Sequence, residues 1–293
     1  MDTSDFNEKR IADPISTLDE ERIEKSLRPK TITEVIGCKK EKDALDIMIK
    51  AAKSRGDALD HILFHGPPGL GKTSLSLVVA NEMNVPIYVT SGPAIERQGD
   101  LAAILTNISE KGILFIDEIH RLHKTIEEIL YPAMEDRVID IVIGKGPSAK
   151  TVRLDLNKFT IIGATTRVSL MSAPLRDRFG VDFRLDYYSH DDLAELIVQK
   201  AKILEVNIID NAALEIAKRA RRTPRIAERL LKRSRDYAQL HNGSKIDLDS
   251  AQRALDMLDV YNEGLDYIDR KIIKTLITTF DGGPVGLSTL AAS

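Results

Sequence analysis

The chain has 293 residues, of which 43% are hydrophobic and 30% charged, and carries a net charge of −3; this composition is typical of a folded protein with two or three domains. No stretch reaches the roughly 18 uninterrupted apolar residues of a membrane helix, and the polar start MDTSDFNEKR predicts neither a signal nor a transit peptide, so we expect a soluble cytoplasmic protein. The single cysteine, Cys38, excludes an internal disulfide.

The first half of the chain alternates short apolar, β-branched runs with amphipathic stretches, which predicts an α/β domain with a mostly parallel sheet. An exception lies at 138–143 and 151–156, where two strand-like runs joined by a glycine-rich turn predict an inserted β-hairpin. The predicted sheet strands span 62–65, 86–90, 113–117 and 159–165.

After Tyr188 the β-branched runs stop and apolar residues recur at helical spacing, which predicts a small all-helical domain. A third segment begins at Gly264, with a helix over 269–280, a glycine-proline break and a second helix starting at Ser288. We therefore expect domains over 1–188, 189–259 and 260–293. The predicted helices of the middle domain span 190–204, 212–220, 223–240 and 248–258.

The strongest motif is Gly66-Pro-Pro-Gly-Leu-Gly-Lys-Thr73, which satisfies the phosphate-loop pattern G-x-x-x-x-G-K-[ST]. A predicted strand runs into it and a helical stretch over 74–84 leaves it, as a phosphate cradle requires. This context disfavours an ordinary glycine-rich turn. We expect Lys72 to reach the β and γ phosphates of ATP, and the Thr73 hydroxyl to bind Mg²⁺.

Three further elements follow at the ends of predicted strands. Asp117 and Glu118 end the run Ile-Leu-Phe-Ile-Asp-Glu, where Asp117 can hold the Mg²⁺ shell and Glu118 can polarise the attacking water. Thr166, at the end of the strand over 159–165, can sense the γ phosphate between the phosphate loop and these acids. Arg178, in Leu-Arg-Asp-Arg-Phe, can point into the site of a neighbouring subunit, although a surface ion pair with Asp177 or Asp182 is the alternative.

These motifs together resemble the AAA+ ATPases, and within them the RuvB family. The broader resemblance rests on the phosphate loop, DEIH at 117–120, GATTR at 163–167, PLRDRF at 174–179 and TPRIAERLL at 223–231. The narrower one rests on LRP at 27–29, DLAAILT at 100–106, YPAMED at 131–136, VIGKGP at 142–147 and GPVGL at 283–287. It covers about residues 27–292.

The resemblance implies a set of nucleotide contacts and two departures from the family pattern. Arg137 stands where the family usually has a tyrosine, and Cys38 where it usually has a glutamine. Arg178 is implied to be a finger supplied in trans. The implied ATP contacts are Leu27, Arg28, Gly69, Leu70, Gly71, Lys72, Thr73, Ser74, Glu135, Asp136, Arg137, Tyr188 (near adenine) and Arg225 (a sensor arginine).

The resemblance also implies what such a protein does. A homohexameric ring would couple ATP hydrolysis to pulling duplex DNA through a Holliday junction, in recombination, repair and the SOS response to DNA damage. The hairpin at 138–156 would dock on RuvA, and RuvC would join the resolving complex. Residues 260–293 would hold only the start of a winged-helix head, so we expect weak duplex binding from this chain.

Several alternatives stay open on the sequence. DEIH also matches a superfamily-two helicase, but the second half lacks the second RecA-like domain that those enzymes need. A protein remodeller or clamp loader is a further possibility, although residues 91–114 contain no aromatic pore residue. An ATP-binding switch without turnover is disfavoured by the complete set of catalytic residues. The basic run at 218–235 fits either a solvated helix face or a contact with a polyanion or subunit.

Overall fold

The computed structural model describes residues 26–143, 150–241, 243, 245–261, 264–265 and 267–293. Within these ranges the strands are β1 (Ile62–His65), β2 (Ile87–Ser91), β3 (Ile113–Asp117), β4 (Val138–Ile143), β5 (Lys150–Asp155), β6 (Thr160–Thr165), β7 (Val181–Arg184), β8 (Asn207–Ile208) and β9 (Lys245–Ile246). The helices are α1 (Lys39–Arg55), α2 (Lys72–Met83), α3 (Gln98–Thr106), α4 (Lys124–Glu135), α5 (Ala173–Arg176), α6 (His190–Ile203), α7 (Asp210–Lys218), α8 (Pro224–His241), α9 (Leu248–Asp256), α10 (Tyr267–Phe280) and α11 (Leu287–Ala292).

Five parallel strands form one sheet in the order β2-β3-β6-β1-β7. The four predicted sheet strands are confirmed within one residue at each end, whereas β7 was not predicted. Residues His65 and Thr165 are register partners on β1 and β6, and Ile116 on β3 pairs with Gly163 on β6. The carboxyl ends of these three strands therefore meet at the same edge, where open parallel sheets bind their ligands.

The central strands are apolar throughout because both faces of the sheet are covered. On β1, Ile62 and Phe64 pack into one core with α2 and the helical domain, while Leu63 packs into a second core with α3 and α4. On β3, Phe115 joins the first core and Leu114 the second. The first core runs continuously from the sheet into the helical domain, and so it holds the two domains together.

The middle domain consists of α6 to α9, as predicted, but the expectation of a purely helical domain is wrong in one detail. Strands β8 and β9 form a two-residue parallel pair, Asn207 with Lys245 and Ile208 with Ile246. Ile246 is fully buried, so this pair anchors the loop before α9 to the first core.

The third segment contains α10 and α11, neither of which has a buried residue. Helix α10 begins at Tyr267 and ends at Phe280, close to the predicted range. No helix in the described part of the chain is both long and apolar enough to cross a membrane.

Candidate nucleotide site

The phosphate loop connects β1 to α2, and its glycines adopt conformations that other residues rarely take. Gly66 has φ +139°, and a Cβ there would lie 2.3 Å from the carbonyl oxygen of Leu185. Gly69 and Gly71 have φ of +81° and +88°. Leu70 between them is fully buried, which fixes the loop to the core. The turn therefore needs glycine for backbone reasons before any ligand is considered.

Helix α2 begins at Lys72, and its preceding residue, Gly71, supplies no side-chain cap. A Cβ on Gly71 would meet no atom within 4 Å, so space remains in front of the first turn. The uncapped N–H groups and the helix dipole both favour an anion in that space. Thr73 and Ser74 in this turn line the same cleft.

The Lys72 ammonium is buried and donates to the carbonyl oxygens of Gly66 and Pro67, at 2.9 and 2.8 Å. Burial lowers the pKa of Lys72, while the nearby carboxylates of Asp117 and Glu118 oppose that shift. A buried cation with only neutral carbonyl acceptors is incompletely compensated. Phosphate oxygens would give it the charged partner that the loop does not provide.

The carboxylates at the end of β3 occupy different environments. The Asp117 carboxylate accepts a hydrogen bond from the Glu118 backbone N–H at 2.9 Å. The Glu118 backbone adopts the left-handed helical conformation, with φ +47°. The Glu118 carboxylate accepts from the Thr166 hydroxyl at 3.2 Å. The predicted acid pair and the predicted sensor threonine are therefore in direct contact.

His120 completes this cluster, although the sequence-based predictions assigned it no role. Its Nδ1 lies 3.3 Å from Oε2 of Glu118 and 2.9 Å from Oγ1 of Thr165. Thr166 and His120 thus contact the Glu118 carboxylate directly, and Thr165 contacts His120. The only sequence feature that could have indicated a role for His120 was its place as the fourth residue of the DEIH motif.

A cleft of about 280 Å³ joins these elements. The helical domain closes it, because the Arg225 backbone N–H donates to the Gly69 carbonyl at 3.3 Å and the Arg225 Cβ lies 3.2 Å from where a Gly69 Cβ would be. The predicted residues that line the cleft are Arg28, Gly69, Gly71, Lys72, Thr73, Ser74, Asp117, Glu118, Thr166 and Arg225.

A smaller cavity of about 50 Å³ adjoins the cleft and shares Pro29 and Ser74 with it. Tyr188 lines this cavity. Its backbone N–H donates to the Arg222 carbonyl at 3.0 Å, and its own carbonyl accepts from Arg222 Nε at 2.9 Å. Burial raises the pKa of Tyr188, so the phenol stays protonated. The cavity combines the Tyr188 ring with polar side chains, among them Glu34, Lys200 and Glu228.

Leu27 and Cys38 each contact a residue that lines this smaller cavity, Lys200 and Tyr188 respectively. Leu27 is almost fully buried and its carbonyl accepts a hydrogen bond from Lys200, a residue that sequence reasoning missed. The Cys38 thiol lies 3.8 Å from the Tyr188 hydroxyl, and burial raises the pKa of Cys38.

Seven predicted site residues do not line the cleft of their own chain. Leu27 and Leu70 are buried, Tyr188 lines the adjoining cavity, and the other four are Glu135, Asp136, Arg137 and Arg178. Arg137 and Arg178 instead border a separate cavity of about 240 Å³. The Arg178 guanidinium donates to the Pro174 carbonyl at 2.6 Å, pairs with Glu135 at 3.2 Å and lies 4.2 Å from the centre of the Tyr131 ring. The expected alternative, a pair with a neighbouring aspartate, is not what the structure shows for Arg178.

Four arginines of the basic run at 218–235 contact other segments of the molecule, whereas Lys218, Arg229 and Arg233 are exposed, as expected for a solvated helix face. Arg219 is buried and pairs with Glu215 and Asp256, both at 2.8 Å. Arg221 donates to the Gly264 carbonyl at 2.7 Å and forms an ion pair with Asp269. Arg222 and Arg225 reach Tyr188 and the phosphate loop, as described above. These arginines connect the helical domain to its neighbours on both sides.

The hairpin packs one face on the second core near its base. Ile139 is fully buried, and Ile141 and Leu154 are partly buried against the same cluster. Val152, which pairs with Ile141 across the strands, is 38% exposed. The other face carries the pair Asp140–Arg153 at 2.8 Å. The apolar face therefore becomes accessible only toward the tip, and the tip at 144–149 lies outside the described residues.

Two protein-family models match consecutive parts of the chain. The P-loop domain of the Holliday junction DNA helicase RuvB matches residues 27–185, and the RuvB AAA lid domain matches residues 188–261. The border between the matches falls beside Tyr188, where the structure passes from the sheet domain into α6.

Relatives and solved structures agree with these matches. The Holliday junction branch migration complex subunit RuvB of Clostridium kluyveri is 56% identical over 284 residues, which are 97% of this chain and 81% of the relative. The Thermotoga maritima RuvB Holliday junction branch migration motor superposes with a TM-score of 0.81 at 48% identity, covering 91% of this chain and 85% of that one. A mutant of the same protein gives a TM-score of 0.82 at 48% identity, with 91% and 84% covered.

Proposed function

The chain belongs to the RuvB family of AAA+ ATPases, and from this membership and the geometry of its cleft we propose that it is an ATP-driven motor for branch migration of Holliday junctions. One observation carries the enzymatic part of this proposal: the phosphate loop, the acids that end β3 and the threonine that follows β6 converge on one cleft, which the helical lid closes through Arg225.

ATP with Mg²⁺ is the ligand that this cleft fits best. We place the phosphates in front of the first turn of α2, with Lys72 exchanging its loop carbonyls for phosphate oxygens, and the base between Tyr188 and Pro29. Among the described residues, no group of three acidic, histidine or cysteine side chains could hold a metal ion by itself. Thr73 and Asp117 would hold Mg²⁺ together with the phosphates, where the ion neutralises developing charge.

Hydrolysis requires a base or a polarising group beside the γ phosphate, and Glu118 is the candidate. Its carboxylate is already oriented by Thr166 and by His120, which Thr165 contacts in turn. Phosphoryl transfer depends mainly on positioning and charge stabilisation. Glu118 would orient the attacking water. Thr166 would contact the γ phosphate, and its hydrogen bond to Glu118 would link that contact to the water-orienting carboxylate.

The residues outside the cleft are proposed to act on a neighbouring subunit. Arg178, Glu135 and Arg137 lie together on a different face of the sheet domain, and Arg178 holds its guanidinium there through side chains of its own chain. In a homohexameric ring this face would meet the cleft of the next copy. Arg178 would then supply positive charge to the transferred phosphoryl group.

The partners follow from the proposed activity. The substrate would be Holliday-junction DNA, with RuvA docking on the accessible end of the hairpin around Val152 and RuvC joining the complex. Residues 260–293 would belong to a winged-helix head, to which Arg219 and Arg221 are linked. A motor acting on chromosomal junctions in a bacterium would work in the cytoplasm.

The alternatives are weaker on specific grounds. A superfamily-two helicase would need a second RecA-like domain, whereas residues 190–256 form four helices and one two-residue strand pair. A protein remodeller would grip polypeptide with an aromatic pore residue, and α3 contains none.

The test compares what stimulates ATP turnover. Phosphate release is measured with Mg²⁺ alone, with a synthetic four-way junction plus RuvA, with linear duplex of the same base composition, and with an unfolded polypeptide. We expect the junction with RuvA to stimulate turnover most and the polypeptide to have no effect. Stimulation by polypeptide alone would identify a remodeller, and no turnover under any condition would contradict the ATPase assignment.

A further inference from the structure

Lys200 is a buried lysine that no part of the proposed mechanism uses. It lies on α6, its side chain is only 4% exposed, and it lines the small cavity next to Tyr188. Its ammonium donates to the Leu27 carbonyl and lies 3.8 Å from a carboxylate oxygen of Glu228. Burying a charge is costly unless it is paired and hydrogen-bonded, so these contacts explain how the lysine is tolerated there.

One partner of Lys200, Leu27, belongs to a segment that contacts both domains, residues 27–34, which we call the strap. On the sheet-domain side, the Ile32 N–H donates to Glu82 on α2 at 3.0 Å, and Asn81 on α2 donates to the strap at 3.3 Å. On the lid side, the strap is held by two successive residues of α6, because Gln199 donates to the Glu34 carbonyl at 3.1 Å and Lys200 holds Leu27.

The strap forms one wall of the nucleotide site. Arg28 and Pro29 line the larger cleft, and Pro29 and Glu34 line the smaller cavity. Two carboxylates, those of Glu34 and Glu228, face this smaller cavity, and both act on Lys200, whose pKa burial lowers and these acids raise. Without a cation between them, the base end of the site would present two negative charges to an anionic ligand.

We propose that Lys200 is a positioning residue for the nucleotide, which locks the strap onto the lid and neutralises the two acids at the base end of the site. The inference rests on the proposed nucleotide function of the cleft. Lys200 lies among the residues of the base end and does not line the cleft that holds the phosphate loop, so it stabilises bound ATP equally before and during hydrolysis. Losing it should raise KM and leave kcat nearly unchanged.

The chain offers a matched control on the same helix. Lys202 is exposed, lies two residues further along α6 in its last turn, and carries the same charge. Lys200→Met keeps the aliphatic stem and removes the charge, and Lys202→Met makes the same change without touching the cavity.

The experiment uses two ligands that differ only at the base end. ATP affinity and KM are measured beside the inhibition constant of inorganic tripolyphosphate, which contacts the phosphate end alone. For Lys200→Met we expect ATP affinity to fall about ten- to a hundredfold, the effect of losing a charged hydrogen bond, with tripolyphosphate inhibition and kcat close to wild type. Lys202→Met should match wild type throughout, and Lys200→Arg should recover most of the ATP affinity.

Two results would overturn the inference: unchanged ATP affinity in Lys200→Met, or an equal loss for ATP and tripolyphosphate, which would indicate a general disturbance of the site. If Lys200→Met does not fold, Lys200→Gln takes its place, with the same selective loss expected and the same two results against it. Failure of the wild-type chain to bind ATP at all would instead contradict the proposed function.

Discussion

Replacing Arg178 by alanine tests whether each site is completed by a neighbouring copy of the chain. In the structure the guanidinium is held away from its own cleft by the Pro174 carbonyl, the Glu135 carboxylate and the Tyr131 ring. Within the described residues, its buried Nε has no hydrogen-bond partner. The guanidinium is therefore held in place while one of its hydrogen-bond donors is unsatisfied. This is the state expected of an arginine that changes partners when a neighbouring subunit docks.

The magnitudes separate a catalytic role from a structural one. A half-exposed ion pair is worth about 0–1 kcal/mol and a cation–π contact about 0.5–1 kcal/mol, so Arg178→Ala should destabilise the free chain by roughly 0.5–2 kcal/mol. An arginine finger contributes about 10³ to 10⁵ in rate, or roughly 4–7 kcal/mol of barrier. The holding contacts are thus too weak to keep Arg178 from a neighbouring nucleotide.

The assay measures phosphate release by Arg178→Ala, by Lys72→Ala and by mixtures of the two. Each single variant should be almost inactive, the second because the phosphates lose their charged partner. Mixed rings should regain activity wherever an intact Lys72 faces an intact Arg178. Arg176, the exposed last residue of α5, lies two residues before Arg178 and approaches Asp182 at 4.0 Å. Arg176→Ala is the matched control and should keep the wild-type rate.

Two outcomes would refute this reasoning. A loss of less than tenfold in the ATPase rate of Arg178→Ala would be too small for an arginine finger. A complete absence of recovery in mixtures, with mixed assembly demonstrated by differently tagged subunits, would exclude a contribution in trans.

Three further changes have distinct expected results. Gly66→Ala places a methyl group against the Leu185 carbonyl oxygen at a positive φ and should lower the free energy of unfolding in urea by at least about 1–3 kcal/mol; wild-type stability would contradict the loop geometry. Val152→Asp should weaken RuvA binding while sparing basal ATPase and thermal stability, whereas Ile139→Asp should unfold the hairpin base; loss of stability in both would indicate a folding role alone. Because burial raises the pKa of Cys38, its thiol should react with iodoacetamide at pH 8 more slowly than in the urea-denatured chain, and equal rates would contradict its burial.

The sequence was sufficient for the parts of the site that lie close to a regular element. The phosphate loop and the acids after β3 each follow a short, mostly apolar strand, and the structure brings them to one cleft because parallel strands place their carboxyl ends at one edge. Thr166 was assigned by the same reasoning. The contact of His120 with Glu118 was not expected, because a single histidine after a strand has no pattern of its own.

The rest depends on contacts between distant segments. Lys200 looks like any lysine on an amphipathic helix, and only the docking of the lid brings it to Leu27, 173 residues away. The arginines of the basic run form internal pairs for the same reason. Strand β7 was missed because Asp182 and Arg184 alternate with its apolar residues at the edge of the sheet, where one side remains exposed.

Hydrolysis of ATP through Glu118 is tested most directly by ATP retention and turnover in Glu118→Gln. The amide keeps the shape of the side chain and leaves the Asp117 carboxylate in place, but it removes the charge that orients water. We predict that the variant binds radiolabelled ATP as tightly as the wild-type chain and retains it unhydrolysed, while wild type releases phosphate. Turnover by Glu118→Gln at the wild-type rate would contradict the role of Glu118 in hydrolysis.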